Sequence, residues 1–205
     1  MALAASTSAA LHPPPHVSRR AAVLGGGACC LGAAQSCTAR TPGSADVTEA
    51  IAQILDARIA LRQLRADWSS YAVVNAEGRA GDAVDQARRI LGGVAPQRGD
   101  AAIALAEATP LYRIDGAFNA VRKFALGDAA AWASSLEIEP FVECGDDIAF
   151  RIQKIDDSFY SVVYASKGSA QLEKIYGEAR AEVDRALADF DAVLGLLREA
   201  GAPGV

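Results

Sequence analysis

Residues 46–205 contain no histidine and only one cysteine, Cys144. Histidine is the commonest general base and metal ligand in proteins. A structural zinc site needs several cysteines or histidines, and a di-iron bundle needs two Glu-x-x-His motifs. A glycine-rich phosphate loop followed by its lysine is also missing from the sequence. These absences predict a protein that is not an enzyme and that carries no cofactor or metal.

The first 45 residues lack aspartate and glutamate, and they hold both histidines and three of the four cysteines. The segment 1–17 is rich in alanine and serine. Arg19 and Arg20 follow, then an apolar run over 21–34 and small residues up to Ala39. Positive charge, an apolar stretch and a small-residue cleavage site are the three parts of an export signal, and the arginine pair indicates the twin-arginine route.

These two parts in tandem resemble the bipartite presequence of a thylakoid-lumen protein, with one signal for the plastid and a second for the lumen. We therefore predict that residues 1–45 are a targeting peptide, cleaved after Ala39 or Ala45. A bacterial twin-arginine signal is the alternative, although it would lie nearer to the start methionine. The apolar run is shorter than the roughly 20 residues that a membrane span requires.

Cleavage changes the charge and the cysteine inventory of the chain. Cleavage after Ala39 would remove Arg19 and Arg20 and leave 18 basic residues against 25 acidic ones, which is a net charge of −7. Such an acidic protein is not expected to bind nucleic acid, because that binding depends on basic surfaces. Cys144 would be left without a partner for an intrachain disulfide. Stability is therefore expected to come from apolar packing.

The stretch 169–200 has the clearest helical pattern. Its apolar residues recur at alternating steps of four and three, which is typical of a helix packed against other helices. The opposite side is charged, includes Glu182, and is expected to face water. Gly201 and Pro203 supply stop signals and leave 201–205 as a C-terminal tail. The apolar positions are Leu172, Tyr176, Ala179, Val183, Ala186, Phe190, Val193 and Leu197.

Similar patterns predict three more long helices, over 46–73, 100–126 and 141–165. Asp46 has the spacing of a helix cap. Pro110 predicts a kink or a break near Thr109, because proline removes a backbone donor. A short helix is expected over 82–91, and a further helical stretch from 127 towards 136. Pro140 is expected to interrupt that stretch at a corner over 137–141, so that the next long helix starts at 141 or 146.

Strand signals are missing from the whole sequence, and the short connection before the last helix implies antiparallel neighbours. The predicted fold class is all-α: an up-down four-helix bundle over 46–200 with one extra short helix, preceded by a cleaved presequence. Tyr160, Tyr164 and Tyr176 cluster near the turn at Lys167-Gly168, where they either pack the end of the bundle or offer a docking patch. The carboxylate pairs Asp146-Asp147 and Asp156-Asp157 are interpreted as solvated helix faces, with weak calcium binding as the alternative.

The segment 155–176 resembles the C-terminal two helices of PsbQ-like proteins, which are extrinsic, lumenal, four-helix subunits of photosystem II. The similar features are the acidic turn at Asp156-Asp157, the aromatic Tyr160 and the lysine-containing break at Lys167-Gly168. A fourth is the Glu-Lys-x-Tyr motif over 173–176, near the start of the last helix. Green-lineage members have a proline-rich N-terminal segment and a strongly basic character, which this chain lacks. Algal members are therefore the better comparison.

The resemblance implies a non-catalytic accessory protein. It would dock on the lumenal face of photosystem II, contact the core and other extrinsic subunits, and help to retain calcium and chloride at the oxygen-evolving complex. Its location would be the chloroplast thylakoid lumen, peripheral to the membrane.

Basic residues on an acidic body would orient such a protein towards a negative partner surface. The expected contacts are the arginine group Arg88, Arg89 and Arg98, followed by Tyr164, Lys167 and Lys174; a solvated face is the alternative for the arginines. Two other functions stay open. One is a lumenal accessory or assembly subunit of photosystem I or of another thylakoid complex, and the other is a helical ligand-binding protein of the lumen.

Overall fold

The computed structural model describes residues 46–93, 99–127, 130–165 and 168–205, and most of them lie in α-helices. No β-strand occurs in these ranges, where a single isolated antiparallel bridge joins Val74 to Ala80. The all-α class is therefore confirmed for this part of the chain. The predicted targeting residues Arg19, Arg20 and Ala39 lie outside the described residues. The helices are α1 Val47–Ala66, α2 Trp68–Tyr71, α3 Val84–Ile90, α4 Asp100–Glu107, α5 Ile114–Leu126, α6 Ala131–Ser134, α7 Ile138–Tyr164 and α8 Ser169–Ala200.

The first helix begins where its cap predicts. The Asp46 carboxylate accepts hydrogen bonds from the backbone N–H groups of Thr48 at 2.7 Å and Glu49 at 3.3 Å, which satisfies donors that the first helical turn leaves unpaired. The prediction of one helix over 46–73 was too long, since α1 ends at Ala66. Asp67 then caps α1, and its N–H donates to the Gln63 carbonyl before α2 begins.

The interruption predicted near Thr109 is confirmed as a complete break between α4 and α5. Proline cannot donate the hydrogen bond that a continuing helix requires. The turn is held from α1 by Gln53, whose Nε2 donates to the carbonyl oxygens of Pro110 at 3.1 Å and Tyr112 at 3.0 Å. Gln53 is buried, so these bonds also satisfy an amide that would otherwise be costly to desolvate.

Pro140 does not interrupt α7, in contrast to the expected start at 141 or later. The helix begins at Ile138, and Pro140 lies in its first turn, where the missing N–H would have no intrahelical partner. The last helix has the predicted bounds. It ends at Gly201, which adopts φ +80° and donates to the last carbonyls of α8.

Four of the helices pack in sequence against one another: α1 against α5, α5 against α7, α7 against α8, and α8 against α1. The predicted apolar positions of α8 are all buried. Ion pairs show that α1 and α8 run antiparallel, because Arg58 pairs with Asp191 whereas Arg65 pairs with Asp184 at 2.6 Å. The short α3 packs on α7. The largest fully buried side chains include Phe141, Phe159, Phe190, Ile51, Leu61 and Ile148.

Glu182 corrects the expectation that its side of α8 is wholly wet, because it is only 4% exposed. Its carboxylate accepts hydrogen bonds from Lys154 at 2.7 Å, Arg185 at 2.9 Å and Arg151 at 3.0 Å. Arg151 also donates to Asp189 at 2.7 Å. The hydrogen bond from Lys154, together with the Arg151 and Arg185 guanidinium groups, lowers the pKa of Glu182 although burial opposes this. This charge network joins α7 to α8.

Candidate docking surface

The chain leaves α3 through two glycines that pack closely against other helices and turns. Gly92 adopts φ +82°, and a Cβ at this position would lie 2.8 Å from the Cα of Tyr112. Gly93 donates its N–H to the Arg88 carbonyl at 2.8 Å, and a Cβ there would lie 2.2 Å from Oδ1 of Asp156. Only a residue without a side chain fits either position unless its neighbour moves. These contacts fix the end of α3 against the turn before α5 and against α7.

Arg88 forms a buried ion pair with Asp156. The Arg88 Nε donates to Oδ1 at 2.9 Å and Nη2 donates to Oδ2 at 3.0 Å, and the two residues are 8% and 9% exposed. Burial acts to lower the pKa of Arg88, but the hydrogen bond and charge of Asp156 raise it above its ordinary value. Both expectations for these residues need correction. Arg88 is not on the surface, and Asp156 is not on a solvated face, because each neutralises the other between α3 and α7.

The guanidinium of Arg88 also covers one face of Tyr160, with its Cζ 4.8 Å from the ring centroid. The Tyr160 ring also contacts Tyr164, and the two ring centroids are 5.0 Å apart. Contact with the Tyr160 hydroxyl raises the pKa of Tyr164. Arg88 therefore supports an aromatic surface although it does not itself reach solvent.

Three residues of α7 form an exposed surface that we name the α7 aromatic face: Tyr160, Val163 and Tyr164. Residues three and four positions apart lie on one side of a helix. Their exposed fractions are 43%, 56% and 64%, which are large values for side chains of this size and apolarity. The tyrosines combine an apolar ring with a polar hydroxyl, and such residues are enriched at protein interfaces.

A buried aromatic cluster lies beside this face. The Phe159 ring contacts Trp68 at a centroid distance of 5.4 Å and Tyr176 at 5.7 Å. Within the described ranges the buried Tyr176 hydroxyl has no hydrogen-bond partner, and burial raises its pKa to about 12. Of the three tyrosines that the sequence groups together, Tyr176 therefore packs the interior, whereas Tyr160 and Tyr164 are exposed. Packing of the bundle therefore applies to Tyr176, and a docking patch stays open for Tyr160 and Tyr164.

The remaining predicted contact residues are only partly brought together. Arg89 lies next to Arg88 on α3 but is half-buried, and its Nε is 3.4 Å from the Asp85 carbonyl oxygen. Lys174 is exposed in the second turn of α8, with Nζ 3.9 Å from Glu178. Arg98 and Lys167 lie outside the described residues. Val163 was missed by the sequence reasoning, although its position three residues after Tyr160 was a usable signal.

Groups suited to chemistry are sparse in the described ranges. They contain no set of three or more His, Cys, Asp or Glu side chains placed to hold a metal ion. Cys144 is partly buried, and burial together with nearby carboxylates raises the pKa of its thiol. A shallow groove between α5 and α7 is lined partly by Asp115, Asn119 and Arg122. The α7 aromatic face is a stronger candidate for a functional site than Cys144 or this groove, and it is suited to contact with a partner.

The chain matches no protein-family model, and comparisons with characterised proteins and with solved structures give no significant match. None of the helices within the described ranges has both the length and the apolar composition that crossing a bilayer requires.

Proposed function

We propose that this chain is a non-catalytic extrinsic subunit that docks on the lumenal face of photosystem II, as PsbQ-like proteins do. The observation that carries the proposal is the position of the α7 aromatic face. It lies within the segment 155–176, whose sequence resembles that family, and it exposes large apolar surface at the end of a helix. In this function the protein would stabilise the oxygen-evolving complex and help it to retain calcium and chloride.

The fold that suits this role is an up-down four-helix bundle made of α1, α5, α7 and α8. The pairwise packing of these four helices supports it, as does the antiparallel direction of α1 against α8. Residues 1–45 would direct the chain to the thylakoid lumen and would then be removed. A bundle with an apolar interior can act as a rigid body, so that binding requires little ordering of its backbone.

Docking would use the α7 aromatic face as its centre. Binding energy at interfaces is concentrated in a few residues, and tyrosine is enriched among them. Arg89 and Lys174, together with Arg98 and Lys167, would guide the acidic protein towards a negative patch on its partner. Arg88 would contribute indirectly, because its guanidinium holds Tyr160.

Rebinding to salt-washed photosystem II membranes tests the proposal. Tyr164→Ser should weaken rebinding, since it removes a central aromatic contact. Phe150→Ser is a matched control, because Phe150 is also an aromatic residue of α7 and is also 64% exposed, but it lies outside the α7 aromatic face. Arg89→Glu and Lys174→Glu should weaken rebinding mainly at low salt, where surface charges are least screened.

Equal rebinding of Tyr164→Ser and the unchanged protein would remove the α7 aromatic face from the docking surface. Failure of the unchanged protein to bind these membranes would remove photosystem II as the partner. Native gel separation of intact thylakoid complexes would then show whether the protein migrates with photosystem I or with another complex. An immunoblot of fractionated cells that shows only the full-length precursor would contradict cleavage of the presequence.

A further inference from the structure

Tyr160 and Tyr164 are two exposed phenols in contact one helical turn apart. Their ring centroids are 5.0 Å apart and the ring planes meet at 58°. All five tyrosines of the chain belong to its described part. Among the ring contacts within the described part of the chain, the contact between Tyr160 and Tyr164 is the one formed by two tyrosines. Tyr176, by contrast, contacts Phe159 and is buried.

We propose that Tyr160 and Tyr164 are a site of oxidative modification, at which hydrogen peroxide acting through a haem peroxidase joins the two rings into an intramolecular dityrosine. Each phenol would lose one electron and one proton to give a neutral phenoxyl radical. The two radicals would form one carbon–carbon bond between the positions ortho to their oxygens. The ortho hydrogens would then move to the oxygens as the rings regain aromaticity. The two electrons and two protons released would reduce one hydrogen peroxide to two waters.

The geometry favours this coupling over competing reactions. The helix holds residues four apart on one face, so both radicals would be neighbours as soon as they form. Arg88 covers one face of Tyr160, and the Asp156 carboxylate fixes that guanidinium through two hydrogen bonds. Arg88 therefore restrains the Tyr160 ring, which already contacts Tyr164 before oxidation. The exposure of both rings gives an oxidant access. None of these points depends on the proposed docking function.

Treatment of the full-length protein with peroxidase and hydrogen peroxide tests the proposal. Trypsin cuts after Lys154 and Lys167, so the peptide 155–167 contains both tyrosines. We expect this peptide to become lighter by two hydrogens, and we expect dityrosine fluorescence in the monomer band of a denaturing gel. Tyr160→Phe and Tyr164→Phe should each lose both signals while circular dichroism shows an intact helical fold. Tyr71→Phe and Tyr112→Phe should keep them.

The double variant Ser161→Tyr/Tyr164→Phe is the matched control. It keeps the number of tyrosines, but it places the second phenol next to Tyr160 in sequence, where the two side chains point to different sides of the helix. We expect it to lose the intramolecular product. A yield equal to that of the unchanged protein would overturn the proposal, because the helical geometry would then not matter. Dityrosine found only in cross-linked chain dimers, or an unshifted peptide 155–167, would overturn it as well.

Discussion

Replacement of Arg88 by methionine would measure how strongly the buried ion pair holds α3 on α7. The change removes both hydrogen bonds to Asp156 and leaves its carboxylate without a counterion. The side chains of Arg88 and Asp156 are only 10% and 13% exposed, so water can replace little of the lost interaction. Breaking a buried pair by removing one partner costs about 3–5 kcal/mol. For a domain of this size, that loss corresponds to a fall in Tm of roughly 6–20 °C.

The double variant Arg88→Met/Asp156→Leu separates the charge from the packing. Leucine branches at the same atom as aspartate, although its methyl groups are larger than carboxylate oxygens, and the pair of substitutions leaves no buried charge behind. Replacing a buried ion pair by apolar residues of similar volume is often neutral or stabilising. The double variant should therefore recover most of the stability that Arg88→Met loses, apart from about 0.5–1 kcal/mol for the lost contact with Tyr160. Urea unfolding followed by circular dichroism gives the free energies for the complete mutant cycle.

Arg89→Met is the control, because Arg89 is the adjacent arginine of α3 and its hydrogen bond within the described part of the chain is a long one to a backbone carbonyl. It should change the free energy of unfolding by about 0.5 kcal/mol or less. A loss below about 1 kcal/mol for Arg88→Met would refute the reasoning, since a pair worth so little behaves as a surface salt bridge. The reasoning would also be refuted if the double variant lost as much free energy of unfolding as the two single variants lose in sum.

Three further predictions concern single positions. Gly93→Ala should lower the free energy of unfolding by about 1–3 kcal/mol, since its Cβ would overlap Asp156. Gly177→Ala should raise the free energy of unfolding by about 0.5–1 kcal/mol, because position 177 is an open helical position. Thermal melts of the two variants and the unchanged protein measure both effects. The lowered pKa of Glu182 means that its ionised form stabilises the protein above the unfolded pKa of about 4.3, and that this stability is lost as pH falls through the lower folded pKa. The difference in unfolding free energy between the unchanged protein and Glu182→Gln should therefore shrink at acidic pH in urea titrations, and a pH-independent difference would contradict the assignment. Tyr176→Phe should be neutral or stabilising by about 1 kcal/mol, because it removes a buried hydroxyl without a partner, and ultraviolet titration should lose a tyrosine that ionises near pH 12.

The sequence predicts best those parts of the fold that depend on one helix at a time. The apolar repeat of α8, its glycine stop signal, the Asp46 cap and the break at Pro110 all follow from local patterns, and all are confirmed. The boundary at Ala66 was missed because the apolar pattern continues through Trp68. Pro140 was misread because a proline has opposite effects in the first turn and in the interior of a helix.

The candidate docking surface was harder to predict, because its key contacts join residues far apart in the sequence. Arg88 and Asp156 are 68 positions apart, and nothing local indicates that one neutralises the other. The burial of Glu182 could not be predicted for the same reason, since its partners Arg151 and Lys154 lie on another helix. By contrast, the pairing of Tyr160 with Tyr164 is visible in their spacing. Partner identity and location stay predictions, because they depend on molecules outside this chain.

The close approach of Gly93 to Asp156 constrains how this protein can diverge. A side chain at position 93 and a carboxylate at position 156 compete for the same space. Alanine at position 93 would therefore cost less stability once Asp156 had been exchanged for a smaller residue, and that exchange in turn would leave Arg88 with an unpaired charge. The stability effects of changes at the three positions are therefore coupled, so that a substitution at one of them alters the cost of a substitution at the other two.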